Sequence, residues 1–184
     1  MYPFLQVAAR SLHSLALALW LGGLIAIGAL VAPTAFHVTR SAPALAGNLP
    51  LQNTIAGGIV GGSLRLFNYL TLVCGVVLLV SNFALRPASN RRWTDACLLT
   101  TCVLLGSALL LTFGLTPAMD AAQSRGDLAA FDRMHHGYEQ LSTLLQFPPL
   151  LLLTFFSVFR DTALKPSRPP VRSVPTRTNS GEPE

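Results

Sequence analysis

The residues most capable of chemistry in this sequence are four histidines, His13, His37, His135 and His136. Imidazole is a common ligand for haem iron, copper and zinc, so two histidines facing each other between helices would indicate a cofactor. His13 lies at one end of the apolar segments, and the other three lie at the opposite end. Only His37 with His135 or His136 is therefore expected to share a site. The alternative interpretation is that all four are interfacial polar residues.

His13 also has an aromatic companion. Trp20 follows it by seven residues, so the two side chains share one helix face about 10 Å apart along the axis. This spacing is compatible with a packed polar–aromatic seam or with the wall of a haem pocket.

Other catalytic and transport signatures are absent from the sequence. It contains no Walker loop, dinucleotide fingerprint, HExxH motif or nucleophile elbow, which does not favour an enzyme. The long apolar segments carry no charged residue at mid-depth, which counts against a proton-driven transporter. Cys74, Cys97 and Cys102 lack the CxxC spacing of metal sites, and we interpret them as small apolar residues.

A pair of prolines, Pro148 and Pro149, lies near the middle of the last apolar segment. Two consecutive prolines remove two amide donors and leave carbonyls near Leu144 and Leu145 without their helical partners. In lipid those carbonyls need another donor, so a kink is expected. A small-solute or metal permease with its path at this kink is one alternative function.

The composition decides which solvent surrounds the chain. Of its 184 residues, 51% are hydrophobic and only 11% are charged, and the mean hydropathy is +0.50. Soluble domains carry about 25% charged residues, so much of this surface must face lipid. The charged residues behind the net charge of +5 lie between the apolar segments and in the tail and form no basic stripe. The charge therefore does not indicate nucleic-acid binding.

The apolar segments predict an all-α fold, a polytopic membrane protein with a four-transmembrane-helix bundle. The bundle is predicted to occupy residues 1–160 and to be followed by a disordered cytoplasmic tail over residues 161–184. A signal peptide is the competing interpretation of the first segment, but its apolar stretch is longer than signal peptides require. The four spans are expected at about residues 12–35, 64–85, 95–116 and 139–159.

The distribution of basic residues predicts the orientation of these spans. Nine Lys and Arg residues fall on the side of both termini and four on the other side. Cytoplasmic loops carry the excess of positive charge. Both termini are therefore expected in the cytoplasm, with the chain in the inner (plasma) membrane.

Glycines offer a means for close helix approach. Gly57 with Gly61, and Gly58 with Gly62, form two overlapping GxxxG pairs before the second span. If the segment is helical, such pairs allow either packing within the bundle or contact between two copies of the chain. A homodimer through these four glycines is the sharper of the two hypotheses.

Several of these motifs together resemble the transmembrane-protein-205-like family, which is catalogued as a domain of unknown function (4149). The shared elements are a first span with Gly-Gly, a Pro-x-x-Phe exit, a proline after the third span and a Phe-x-x-x-His element in a charged helix. The positions that carry the resemblance are Trp20, Gly22, Gly23, Pro33, Phe36, Pro117, Phe131 and His135. The family's glycine after this histidine is replaced here by His136. The resemblance implies a membrane protein of unassigned biochemical activity.

A weaker similarity links the first span to the copper-resistance protein D group and the membrane-type haem-dependent protoporphyrinogen oxidases. These proteins also place a histidine seven residues before a tryptophan that is soon followed by glycine, as do His13, Trp20 and Gly22. Their exit proline follows the tryptophan sooner than Pro33 does here. The similarity implies a haem- or copper-binding membrane protein with histidine ligands as an alternative function.

Overall fold

The computed structural model describes residues 3–86 and 90–162, which contain helices and turns but no strand. The predicted all-α fold is confirmed. The helical segments, in chain order, are α1 (Pro3–Ala26), a π-helical turn (Ile27–Val31), α2 (Ala32–Ser41), a 3₁₀ turn (Pro43–Leu45), α3 (Leu49–Leu85), α4 (Arg91–Leu109), a second π-helical turn (Leu110–Leu115), α5 (Thr116–Ser124) and α6 (Leu128–Thr162).

Four continuous helical rods are long and apolar enough to cross a membrane, as predicted. They cover Phe4–Ser41, Leu49–Leu85, Arg91–Ser124 and Ala129–Arg160. Each extends beyond the corresponding predicted span. Asp161 and Thr162 still belong to α6, and residues 163–184 of the predicted disordered tail lie outside the described residues.

Two prolines that were expected to mark span ends lie inside continuous helices. Pro33 follows the first π-helical turn and Pro117 follows the second, each near the start of the next helix. Proline lacks an amide donor, and its ring crowds the carbonyl one turn earlier. A wider turn relieves this crowding: the Thr116 amide donates to the Leu111 carbonyl, and the Thr116 hydroxyl donates to the same oxygen at 2.8 Å.

The two longest helices begin in the same manner. Gly47 and Gly126 adopt positive φ angles of 81° and 71°, a conformation that glycine reaches without steric cost. The next residues, Asn48 and Asp127, accept hydrogen bonds from amides of the first helical turn and so satisfy donors that would otherwise lack partners. The turn at Gly126 separates α5 from α6.

The helices pack as two antiparallel hairpins side by side. α1 lies against α3, α3 against α4 and α4 against α6, whereas α1 and α6 meet only over a short stretch. The core includes Trp20, Phe67, Leu78, Leu104 and Leu153. Large apolar side chains also cover the outside of the bundle, among them Leu66 and Leu99 at 74% and 69% exposure. This inner core with an apolar exterior is that of a multi-pass membrane protein.

The glycine-rich segment is helical and belongs to α3. A Cβ atom placed on any of Gly57, Gly58, Gly61 and Gly62 would meet no other atom within 4 Å. The interpretation that these glycines allow close packing within the bundle is therefore wrong. Their role in a homodimer stays a prediction.

Candidate functional site

A buried polar cluster lies where α3, α4 and α6 meet, at the end of the bundle that carries both termini. Arg160 is only 1% exposed and donates from Nη1 to Oδ1 of Asn82 at 2.7 Å. Asn82, fully buried, donates in turn to the Thr101 hydroxyl at 3.0 Å. Buried polar groups need such partners because their desolvation is costly. The cluster therefore ties three helices together through one asparagine.

His13 of α1 lies at the same end of the bundle and is hydrogen-bonded to α6. Its Nε2 lies 2.7 Å from Oγ of Ser157, and the histidine is 1% exposed. The Ser157 hydroxyl donates its only proton to the Leu153 carbonyl at 2.7 Å. The serine oxygen must then accept from His13. In this arrangement Nε2 of His13 carries the ring proton and Nδ1 carries the lone pair.

Trp20, which shares one face of α1 with His13, lies in the hydrophobic core. Its ring lies against Gly75 of α3, with the nearest ring carbon 3.5 Å from where a Cβ would stand. Within the described residues, the buried indole nitrogen has no hydrogen-bond partner. The predicted His13–Trp20 pair is thus packed between helices, in the arrangement of a seam.

A cavity of about 280 Å³ lies beside His13, in the short seam between α1 and α6. One end presents the polar groups of His13, Ser14 and Ser157, and the other presents Leu17 and Leu21. Leu21 lies about 12 Å further along α1 than His13. Ala18, Thr154 and Val158 complete the lining. The seam thus forms a groove with a polar end near the termini and an apolar interior.

The remaining histidines lie on the bundle surface at the opposite end. His37 is exposed on α2, which packs on α3. His135 stacks on Phe131 at 5.8 Å between ring centroids. His135 and His136 approach Glu139 at 3.3 and 3.4 Å, so their nearest polar partner is this carboxylate. Across residues 3–86 and 90–162, no group of three or more His, Cys, Asp or Glu side chains is arranged to hold a metal ion.

The proline pair does not interrupt α6, which runs from Leu128 to Thr162. Gln146, just before Pro148, is 2% exposed and faces the interior. The Thr154 hydroxyl donates to the Leu150 carbonyl, beyond the carbonyls near Leu144 that the prolines deprive of donors. The permease path at this point stays a prediction.

The residues that form the buried polar contacts were not predicted from the sequence. Asn68 and Asn82 are fourteen residues apart in an apolar helix, which is close to four full turns and puts both on one face. Both prove to be buried. That spacing of amides in a lipid-spanning segment was the available signal. Arg160 was counted with the basic residues of the tail, but its side chain is buried inside the bundle.

Comparison with known proteins gives a family and no closer relative. No curated protein and no solved structure matches the chain. A family profile described as "Domain of unknown function (DUF4149)" matches residues 15–127, which cover most of the first span and all of the second and third, including Trp20, Asn82 and Thr101; His13 lies just before the matched range. Because this match covers more than half of the chain, the protein belongs to the DUF4149 family.

Proposed function

We propose that this protein binds a small amphiphile that enters from the bilayer into the groove between α1 and α6. The observation that carries the proposal is the buried His13–Ser157 pair at the wall of the 280 Å³ cavity in an otherwise lipid-facing seam. A buried polar pair beside an apolar cavity is typical of sites that orient a ligand by a few hydrogen bonds.

The order of side chains along the groove supports an amphiphile over a uniformly polar solute. Ser14 and Ser157 lie at the end near the chain termini, where a polar headgroup would meet the membrane surface. Leu17 and Leu21 line the part that runs toward the bilayer centre. Because α1 and α6 barely touch here, a ligand dissolved in the membrane has lateral access without a change in the bundle.

The alternative of a haem or copper protein fits the donors of the groove less well. Nε2 of His13 is engaged by Ser157, which leaves Nδ1 as the one ring nitrogen able to bind a metal, and the described residues that line the groove include no other His, Cys, Asp or Glu. The predicted partners His37, His135 and His136 lie at the other end of the bundle. An absorption spectrum of the purified protein with a Soret band would favour haem instead of an amphiphile.

The cellular placement belongs to the same proposal. The excess of nine basic residues against four supports cytoplasmic termini in an inner (plasma) membrane. The groove then opens in the cytoplasmic leaflet. The finer likeness to transmembrane-protein-205-like proteins is consistent with this arrangement and names no ligand.

Photolabelling tests the proposal directly. The purified protein in nanodiscs is mixed with a photoactivatable fatty acid, and the labelled peptides are mapped by mass spectrometry. We expect label concentrated on α1 residues 13–21 and α6 residues 154–158. Ala18→Phe fills the groove and should reduce that label about tenfold, whereas Leu19→Phe, on the neighbouring lipid-facing surface of α1, should not change it. Equal labelling of all exposed helix faces, unchanged by Ala18→Phe, would refute the proposal.

We also propose that two copies associate through Gly57, Gly58, Gly61 and Gly62 of α3. The support is that no neighbouring atom covers these glycines within the single chain, while Ile55 and Ile59 beside them are exposed apolar residues. In a membrane, small residues let two helix backbones approach closely.

A further inference from the structure

A second cavity lies at the end of the bundle opposite the termini, between α3 and α5. It has a volume of about 210 Å³, below the roughly 300–1,000 Å³ of pockets for drug-sized ligands. A ligand for this cavity is therefore small. Six of its seven lining side chains are polar or charged: Arg65, Asn68, Tyr69, Thr112, Thr116 and Asp120, with Pro117 as the seventh.

The two walls of this cavity have opposite hydrogen-bonding character. On α3, Arg65 and Asn68 are three residues apart and so lie on one face, where they offer donors. On the opposite wall, Asp120 offers a carboxylate. Thr112 and Thr116 donate their hydroxyl protons to the backbone carbonyls of Ala108 and Leu111, which leaves their oxygens as acceptors.

Asn68 is the buried donor of this site. It is 3% exposed, and its Oδ1 accepts from the Tyr138 hydroxyl at 2.9 Å. Within the described part of the chain, its amide nitrogen has no hydrogen-bond partner. This nitrogen keeps some accessible surface, and it belongs to a residue that lines the cavity. A ligand in the cavity can therefore supply an acceptor for it.

An exposed ion pair forms part of the cavity lining. Nη2 of Arg65 lies 2.8 Å from both carboxylate oxygens of Asp120, and the two side chains are 54% and 51% exposed. An ion pair this exposed contributes little to stability. It is therefore readily exchanged for contacts with a ligand that brings one charge of each sign.

We infer that this cavity is a binding site for a small zwitterion that carries a protonated amine. Its anionic group accepts from Arg65 and from the Asn68 amide, and its ammonium group donates to Asp120 and to the Thr116 hydroxyl oxygen. The exchange replaces one ion pair by two and leaves the net charge unchanged. Two sources have this chemistry: a free amino acid and the phosphoethanolamine headgroup of a lipid.

The test measures ligand-induced thermal stabilisation of the full chain. Glycine and free phosphoethanolamine are added to the detergent-solubilised protein, and nanodiscs of phosphatidylethanolamine are compared with nanodiscs of phosphatidylcholine, whose amine has no N–H donor. Stabilisation by glycine identifies a free solute, and stabilisation only by the phosphoethanolamine probes identifies a lipid headgroup. Arg65→Gln and Asp120→Asn each remove one charge-assisted contact and should weaken binding about tenfold or more.

A matched control comes from the opposite end of the bundle. Arg86 and Asp95 form an ion pair of similar exposure, 45% and 46%, outside both cavities. Arg86→Gln should therefore leave binding unchanged, while circular dichroism verifies that all three variants are folded. The inference is overturned if no probe stabilises the natural protein, or if either Arg65→Gln or Asp120→Asn binds as well as the Arg86→Gln control. Neither result bears on the groove between α1 and α6.

Discussion

The amide of Asn82 joins three helices, so its removal should destabilise the bundle far more than its size suggests. Asn82→Ala deletes the acceptor for Nη1 of Arg160 and the donor to Thr101. Both partners are buried and cannot turn to water in compensation. The substitution therefore leaves part of a charged guanidinium with less hydrogen bonding in a low-dielectric interior.

The magnitude follows from the two bonds. A hydrogen bond to a charged group contributes about 1.5–3 kcal/mol, and neutral side-chain bonds in membrane helices average about 0.6 kcal/mol. Alanine is the better helix former by up to about 0.7 kcal/mol. The same gain accompanies Asn53→Ala, which changes an exposed asparagine of the same helix. The difference between the two variants should therefore be about 2–3.5 kcal/mol.

The assay is reversible unfolding in mixed micelles, with SDS as denaturant and helix circular dichroism as the signal. The free energy of unfolding of Asn82→Ala is compared with that of Asn53→Ala and of Thr101→Val. Thr101→Val removes the neutral bond from Asn82 and the bond from the Thr101 hydroxyl to the Cys97 carbonyl, and at about 0.6 kcal/mol for each neutral bond it should cost about 1 kcal/mol. The reasoning is refuted if Asn82→Ala and Asn53→Ala agree within about 0.5 kcal/mol, or if Thr101→Val is the most damaging change.

Three further predictions concern packing, association and orientation. Gly23→Ala puts a Cβ into the Phe67 ring and should lower the free energy of unfolding by about 1–3 kcal/mol. The control Gly22→Ala, whose Cβ meets nothing within 4 Å, should leave the free energy of unfolding unchanged. Equal effects of the two substitutions would contradict the packing of Gly23 against Phe67. Gly58→Ile should abolish chemical cross-linking between two copies of the chain. Gly137 is equally uncovered by other atoms, and Gly137→Ile should preserve the cross-linking. Cross-linking that survives Gly58→Ile rules out this interface. Of two reporters fused to the C-terminus, one that works only in the cytoplasm should be active and one that works only outside it should be inactive. Activity of the external reporter would contradict the predicted orientation.

Local features of the sequence were sufficient for the general architecture. A segment of about 20 apolar residues must form a helix in lipid, because only internal hydrogen bonds satisfy its backbone there. This requirement depends on neither the other helices nor their order. It explains why the number of spans and the all-α fold were predicted correctly. The motifs around Trp20 and Pro33 are likewise local, and they were sufficient to indicate the DUF4149 family.

Helix ends were harder to predict because proline has two outcomes in a helix. Proline removes one donor and crowds a carbonyl, which either ends the helix or widens a single turn. At Pro33 and Pro117 the helix widens and continues. The second outcome needs packing that holds the continued segment, and α2 and α5 have it against α3 and α6 respectively.

The candidate sites, in contrast, are decided by the tertiary structure. His13 and Ser157 are separated by 144 residues in the chain, and Arg160 and Asn82 by 78, so no local pattern relates them. The sequence identified His13 as a possible ligand of a cofactor, whereas the fold brings its Nε2 within hydrogen-bond distance of Ser157. Hydropathy is a sum over neighbours in the chain, but a polar side chain acquires its partner only when helices meet. That is why the sequence determined which segments lie in lipid, and the packing determined what lies between them.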